Sequence, residues 1–171
     1  MSRLVFCATG HRPDKLGGYD PSVLDGLVKL AEAYLIHNSP DEVISGVALG
    51  WDTAWAIAAI RLGIDLVSAV PFEGQECRWP EQSQRRYRKI LSKSNHVEIV
   101  CPGGYSPAAM QKRNEWMVDN SQRVVALWDG SSGGTGNCIR YARARNAEID
   151  VLWGCWSDGW LDPLVGGSYR L

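Results

Sequence analysis

A chain of 171 residues, 45% of them hydrophobic, suits one α/β domain better than two, because two halves would each fall near the lower size limit for a core. Lys and Arg number 18 against 19 Asp and Glu; a formal charge of -1 supplies no global field toward a polyanion or an anionic membrane, so any nucleic-acid binding must be local. The 5 cysteines are spread without a CxxC pair, which argues against a metal site and suits buried thiols in a cytoplasmic protein, and MSRLVFCATG carries neither a signal peptide nor a membrane span.

In chain order, short β-rich apolar runs alternate with helical patterns. RLVFCAT (3–9) predicts the first strand, and PSVLDGLVKLAEAYLIH (21–37) a helix with Asp20 as N-cap and Pro21 at its first position. EVISGV (42–47) and DLVSAVP (65–71) predict strands on either side of the helix DTAWAIAAIRLG (52–63). The helical pattern WPEQSQRRYRKILSK (79–93) precedes the strand HVEIVC (96–101), and SPAAMQKRNEWMVDN (106–120) precedes RVVALW (123–128). TGNCIRYARARN (135–146) predicts a fifth helix and IDVLW (149–153) a sixth strand. Runs apolar on both faces require helices on both sides, so the expected fold is α/β: a single Rossmann-like, doubly wound, mainly parallel sheet over residues 1–153. The segment GCWSDGWLDPLVGGSYRL (154–171) lacks helical or strand periodicity and is expected to pack on the sheet edge or on a second subunit, making a homo-oligomer the expected assembly.

Ligands of such sheets bind where the loops gather at the carboxyl ends of the strands. TGHRPDKLGG (9–18) offers Gly10 for a sharp turn and His11 and Arg12 as phosphate donors, or else is a surface turn. In SGVALGWD (45–52), Gly46 and Gly50 permit close backbone approach, Ser45 and the following Thr53 are further ligand-binding candidates, and Asp52 is either an N-cap or an acceptor for ribose hydroxyls. PFEGQECRWP (71–80) brings Phe72, Glu73 and Gln75, with Glu73 the general acid/base if a bond is cleaved. Trp51 and Trp79, beside these loops, are candidates for stacking on a base. The basic run Arg85, Arg86, Arg88, Lys89 and Lys93 reads as a solvated face, with single-stranded nucleic acid ranked behind it.

Met110, Arg113 and Met117 fall on one helical stripe, which places a guanidinium among apolar side chains, where it needs an internal carboxylate or a ligand phosphate; Glu115 points to a different face. After Asp129, residues Gly133, Gly134, Thr135, Gly136 and Asn137 open a helix and form an anion-binding nest of amides. The stretch lacks a Walker lysine and the first strand lacks GxGxxG, so neither of those nucleotide-binding motifs applies and no cofactor is assigned.

Together, SGVALGWDTA (45–54) and MQKRNEWMVDNSQRVVALWDGSSGGTGN (110–137) resemble the SLOG superfamily, and TGHRPDKLGGY (9–19) with PFEGQECRWP resembles its YpsA/YspA-like branch, over residues 4–153 in all. The resemblance implies a Rossmann-like nucleotide-binding domain related both to the LOG phosphoribohydrolases and to the DNA-processing recombination mediators. Met110 and Arg113 match the LOG Met-x-x-Arg, whose arginine is catalytic, and SGGTGNCIR (132–140) matches PGGxGTxxE, except that the glutamate falls at Arg140. That exchange reverses the charge that would stabilise an oxocarbenium-like centre, leaving Glu73 as the replacement. The resulting expectation is a nucleotide-like small molecule bound as by a sensor or sequestering protein. N-glycosidic hydrolysis is the alternative and single-stranded nucleic-acid binding the third reading.

Overall fold

Six parallel strands form one sheet in the computed structural model, which describes residues 2–159. The elements are β1 (Val5–Gly10), a short 3-10 turn (Pro13–Lys15), α1 (Pro21–Asn38), β2 (Glu42–Ser45), α2 (Trp51–Leu62), β3 (Asp65–Val70) and α3 (Glu81–Lys93). Then come β4 (His96–Ile99), α4 (Pro107–Asp119), β5 (Arg123–Leu127), α5 (Gly134–Ala144), β6 (Glu148–Val151) and α6 (Trp153–Ser157). The strand order β4-β3-β2-β1-β5-β6 means that the chain winds outward from β1, then crosses back to place β5 on its other side. The β1–β5 boundary is therefore the topological switch point, where loops diverge and leave a crevice.

Alternation along each strand sorts side chains into two cores. Phe6, Ala8, Val43, Leu66, Val125 and Leu127 pack under α1, α2 and α3 around Trp51, Trp55 and Tyr34. Cys7, Ile44, Val67, Ala69, Val124 and Ala126 face α4 and α5 through Met117, Cys138 and Ile139. Burying each large apolar side chain contributes roughly 1.5–3 kcal/mol, so the two cores hold the sheet from both sides. The doubly wound α/β expectation is thereby met. One strand departs from it: β4 is largely exposed, with Val97 and Ile99 both 37% accessible, because it is an edge strand with one neighbour.

Helix starts follow local chemistry. Asp20 Oδ1 accepts from Ser22 N at 2.9 Å ahead of Pro21, and Ser106 Oγ accepts from Ala109 N at 3.0 Å ahead of Pro107. The start of α2 corrects the sequence reading. Its N-cap is Gly50, at φ 92, and Asp52 lies inside the first turn, leaving its carboxylate available for something other than capping. A Cβ on Gly50 would sit 2.5 Å from the His11 carbonyl, so this glycine permits both the backbone conformation and the close approach of the first loop.

A sixth helix corrects the expectation of five and of an aperiodic tail. α6 buries Cys155 and packs Trp153 and Trp156 against the α1–α2 side, with Trp153 edge-on to His11 at 5.8 Å between centroids. Trp160 and the remainder of the expected tail lie outside the described residues. Among the described residues, no helix is long and apolar enough to cross a membrane.

Candidate functional site

The crevice at the ends of β1 and β5 is a cavity of about 310 Å³. One wall is the turn into α5. Asp129 Oδ1 accepts from the Ser131 amide at 2.9 Å and its hydroxyl at 2.5 Å, and the Trp128 indole donates to the Ser131 carbonyl at 2.8 Å. These bonds, with the Ser131 hydroxyl foremost, hold the Asp129 carboxyl well below the ordinary carboxylate range. His11 Nε2 accepts from the Asp129 amide at 3.1 Å and lies 2.7 Å from the same carboxylate oxygen. Lys15 Nζ donates to Ser131 Oγ at 2.7 Å, tying the first loop to the last. The first amide of α5 with a backbone acceptor is that of Asn137, bonded to Gly133 O at 2.9 Å. The amides of Gly134, Thr135 and Gly136 at this held turn are open to an anion, with the helix dipole behind them.

The facing wall is charged and buried. Arg113, 4% exposed, donates from Nε to Asn114 Oδ1 at 3.0 Å and from Nη1 to the carbonyls of Gly46 at 2.7 Å and Ala69 at 3.4 Å. Its Nη2 has no acceptor among the described residues. Asp52 is 5% exposed, lines the same cavity, and its Oδ1 has no hydrogen-bond partner among the described residues. Burial pushes the Asp52 carboxyl up to about 6 against the opposing pull of Arg113 and Arg12, and burial likewise lowers the Arg113 pKa. Both shifts disfavour charge, so the two groups neutralise one another only in part. A ligand carrying an anion and hydroxyl donors would satisfy both.

The structure brings Gly10, His11, Arg12, Asp52, Arg113, Gly133, Gly134, Thr135 and Gly136 to one cavity. It also adds residues that were not singled out from the sequence, notably Lys15, Asn114 and Ser132. Asn114 had a legible signal, since it follows Arg113 directly; the approach of Lys15 to the α5 turn had none. Several expected site residues serve as scaffold. Ser45 Oγ donates to Asp52 O at 2.7 Å, and Thr53 Oγ1 donates to Ala48 O at 2.7 Å while lining a separate groove bordered by α1 and α3. Gly46 lends its carbonyl to Arg113, Gly50 shapes the turn, and Asp129 braces the last loop.

Other expected residues lie elsewhere. Phe72, Glu73 and Gln75 line a second cavity of about 500 Å³ that shares Arg12 and Met110 with the first. Glu73 is exposed there, so the carboxylate in the main cavity with Arg113 is Asp52. Asn137 and Arg140 are exposed on an outer depression beyond Gly134, where Arg140 donates to Asn137 Oδ1. Glu115 accepts from Gln111 at 3.1 Å, away from the cavity. Trp51 is fully buried against Trp55, with its indole N–H 3.3 Å from Val125 O, and cannot stack on a ligand; Trp79 is half-buried in the second cavity. On α3, Arg85 pairs with Glu81 at 2.5 Å and Arg88 with Glu76 at 3.4 Å, while Arg86, Lys89 and Lys93 border a groove remote from the crevice.

The chain is 33% identical over 135 residues to the uncharacterized SPbeta prophage-derived protein YoqJ of Bacillus subtilis strain 168, covering 70% of this chain and 79% of that one. Its fold resembles DNA processing protein A of Streptococcus pneumoniae, with TM-score 0.65 and 18% identity over 87% of this chain. It likewise resembles Helicobacter pylori DNA processing protein A, whose structure concerns a single-stranded DNA binding mode, with TM-score 0.61, 19% identity and 87% coverage. The chain spans 50% and 65% of those two proteins, respectively. Residues 6–150, from the first strand of the sheet to the last and with the whole crevice between them, match the YspA SLOG family, and the chain belongs to that family.

Proposed function

We propose that this protein binds a nucleotide or nucleotide-derived phosphate ligand at the carboxyl ends of β1 and β5, as a sensor or sequestering protein. One observation carries the reading. Asp52 Oδ1 and Arg113 Nη2 have no partners among the described residues, on one wall of a cavity whose other wall is the amide-rich start of α5. The α5 amides and Arg113 take the phosphate, while Asp52 accepts from sugar hydroxyls. Arg12 and Lys15 at the rim raise the local positive potential in a chain whose formal charge is -1.

The test is titration calorimetry with ribose 5-phosphate, nucleoside monophosphates, NAD and ADP-ribose, followed by chromatography of each ligand. The expected result is saturable binding of a phosphate-bearing sugar, with the ligand recovered intact. No binding by any member of this panel overturns the reading.

A second reading, hydrolysis of an N-glycosidic bond, is favoured by the raised pKa of Asp52, a proton donor near neutrality inside the cavity. Under it, free base and sugar phosphate appear, and Asp52→Asn stops their release while Glu73→Gln does not. Single-stranded DNA, the ligand named for the Helicobacter pylori neighbour, is separated by salt. A phosphate tract held along several cations weakens steeply as ionic strength rises, whereas a single buried phosphate changes little.

A further inference from the structure

The second cavity has the makings of a base-recognition pocket. Phe72 and Tyr105 meet edge to face at 5.9 Å, Trp79 is held edge to face by the buried Tyr87 at 5.4 Å, and Phe72, Trp79 and Tyr105 line the cavity of about 500 Å³ that shares Arg12 and Met110 with the crevice at α5. Aromatic faces beside a phosphate site accommodate a flat heterocycle without regard to its sequence of atoms. Gln75 supplies the selective element. It lines this cavity, is only 7% exposed, and its Oε1 is buried without a partner among the described residues. The amide orientation is set by Gly46, whose carbonyl lies 3.5 Å from Gln75 Nε2 and already holds Arg113; the flipped amide would set oxygen against oxygen. An acceptor is thus left unpaired beside aromatic walls, one carbonyl away from the guanidinium of the phosphate site.

We infer that the cavity of Phe72, Trp79 and Tyr105 binds the base of the nucleotide whose phosphate lies at α5, and that Gln75 selects bases carrying an exocyclic amino group, as in adenine or cytosine. This rests on the proposed phosphate site. An amino hydrogen relieves the unpaired Oε1, whereas a keto oxygen at the same position meets it lone pair to lone pair, and a buried mismatch of this kind discriminates far more strongly than a missing methylene. Arg12, at the wall common to both cavities, lies over the join between base and phosphate subsites.

The experiment is calorimetric titration of the full chain with ribose 5-phosphate, AMP, IMP, CMP and UMP, repeated on Gln75→Leu and on Tyr105→Ala, the latter at a 71% exposed position where folding is not at stake. The expected result is at least a tenfold preference for AMP over IMP and for CMP over UMP. In Gln75→Leu, AMP and IMP converge while ribose 5-phosphate affinity is unchanged; in Tyr105→Ala, AMP affinity falls about tenfold toward that of ribose 5-phosphate. Equal affinities for amino and keto bases, or a preference that survives Gln75→Leu, overturn the inference. If ribose 5-phosphate binds as tightly as every nucleotide, the phosphate site stands and the base pocket falls. If none of the five binds, the base pocket falls, and the phosphate site falls with it only when NAD and ADP-ribose fail to bind as well.

Discussion

Arg113 and Asp52 flank Gly46 so closely that a Cβ on that glycine would lie 2.4 Å from Arg113 Nη1 and 2.8 Å from Asp52 Oδ2, yet no direct ion pair joins the two side chains among the described residues. The absence of a side chain at one position lets two buried charged groups converge, and both line the crevice.

Gly46→Ala should therefore be disruptive out of proportion to one methyl group. Neither Nη1 nor Oδ2 can swing into solvent without leaving the other buried charge less compensated, so overpacking of roughly 1–3 kcal/mol is expected. Urea unfolding of the variant should show a lowered midpoint with an unchanged slope, and phosphate-ligand binding should be lost even where the fold persists.

Asp52 makes stability depend on pH in an uncommon direction for a carboxylate. Its folded pKa of about 6 lies above the ordinary 3.8, so between those values the folded protein holds more of this proton than the unfolded chain. The contribution of the group is then greatest at low pH and is lost as pH rises through about 4 to 6. A shift of this size amounts to about 3 kcal/mol of destabilisation once the group is charged. Comparing chemical denaturation of wild type and Asp52→Asn across this window should show the variant lacking that decline.

Arg113→Met keeps volume and removes charge. It leaves the Gly46 carbonyl without its 2.7 Å donor and removes the cation that faces Asp52, which should lower stability by about 1–3 kcal/mol. Arg113→Lys keeps the charge but offers fewer fixed donors, so it should recover much of the stability and little of the phosphate affinity. Thermal denaturation paired with ribose 5-phosphate titration separates the two effects.

Asp129→Asn acts on order in the α5 turn. The carboxylate braces Ser131 and engages His11, bonds that strengthen with its charge, so their contribution is present at neutral pH and lost as pH falls below the ordinary carboxylate range. The substitution should speed hydrogen exchange of the Ser131 to Gly136 amides and weaken phosphate binding, while the midpoint of thermal unfolding changes little.

The order of strands and helices, the Asp20 cap, the burial of Arg113 and the amide turn at Gly133 to Gly136 were all legible in the chain, because they depend on neighbours a few residues away. Edge exposure of β4 was not legible, since apolar residues in a run do not say how many neighbouring strands will cover them. Trp51 misled for a similar reason: its position at a loop suggested access, but the turn at Gly50 directs it into the α1–α2 core. The short helix at Trp153–Ser157 has too few residues to show a period.

For the site, the sequence by itself determined the inventory: an arginine on an apolar stripe, a carboxylate after SGVALGW, and a glycine-rich helix start that carries Arg140 where LOG enzymes carry glutamate. Only the tertiary structure decided which of these share a cavity. The return of β5 beside β1 brings the α5 amides opposite Asp52 and Arg113, whereas the β3–α3 loop places Glu73 in the adjoining cavity and the exposed face of α5 turns Arg140 outward. Chemistry is written into side chains, but proximity between Gly46 and Arg113, 67 positions apart, is set by the sheet order that brings the loops and helices between its strands together.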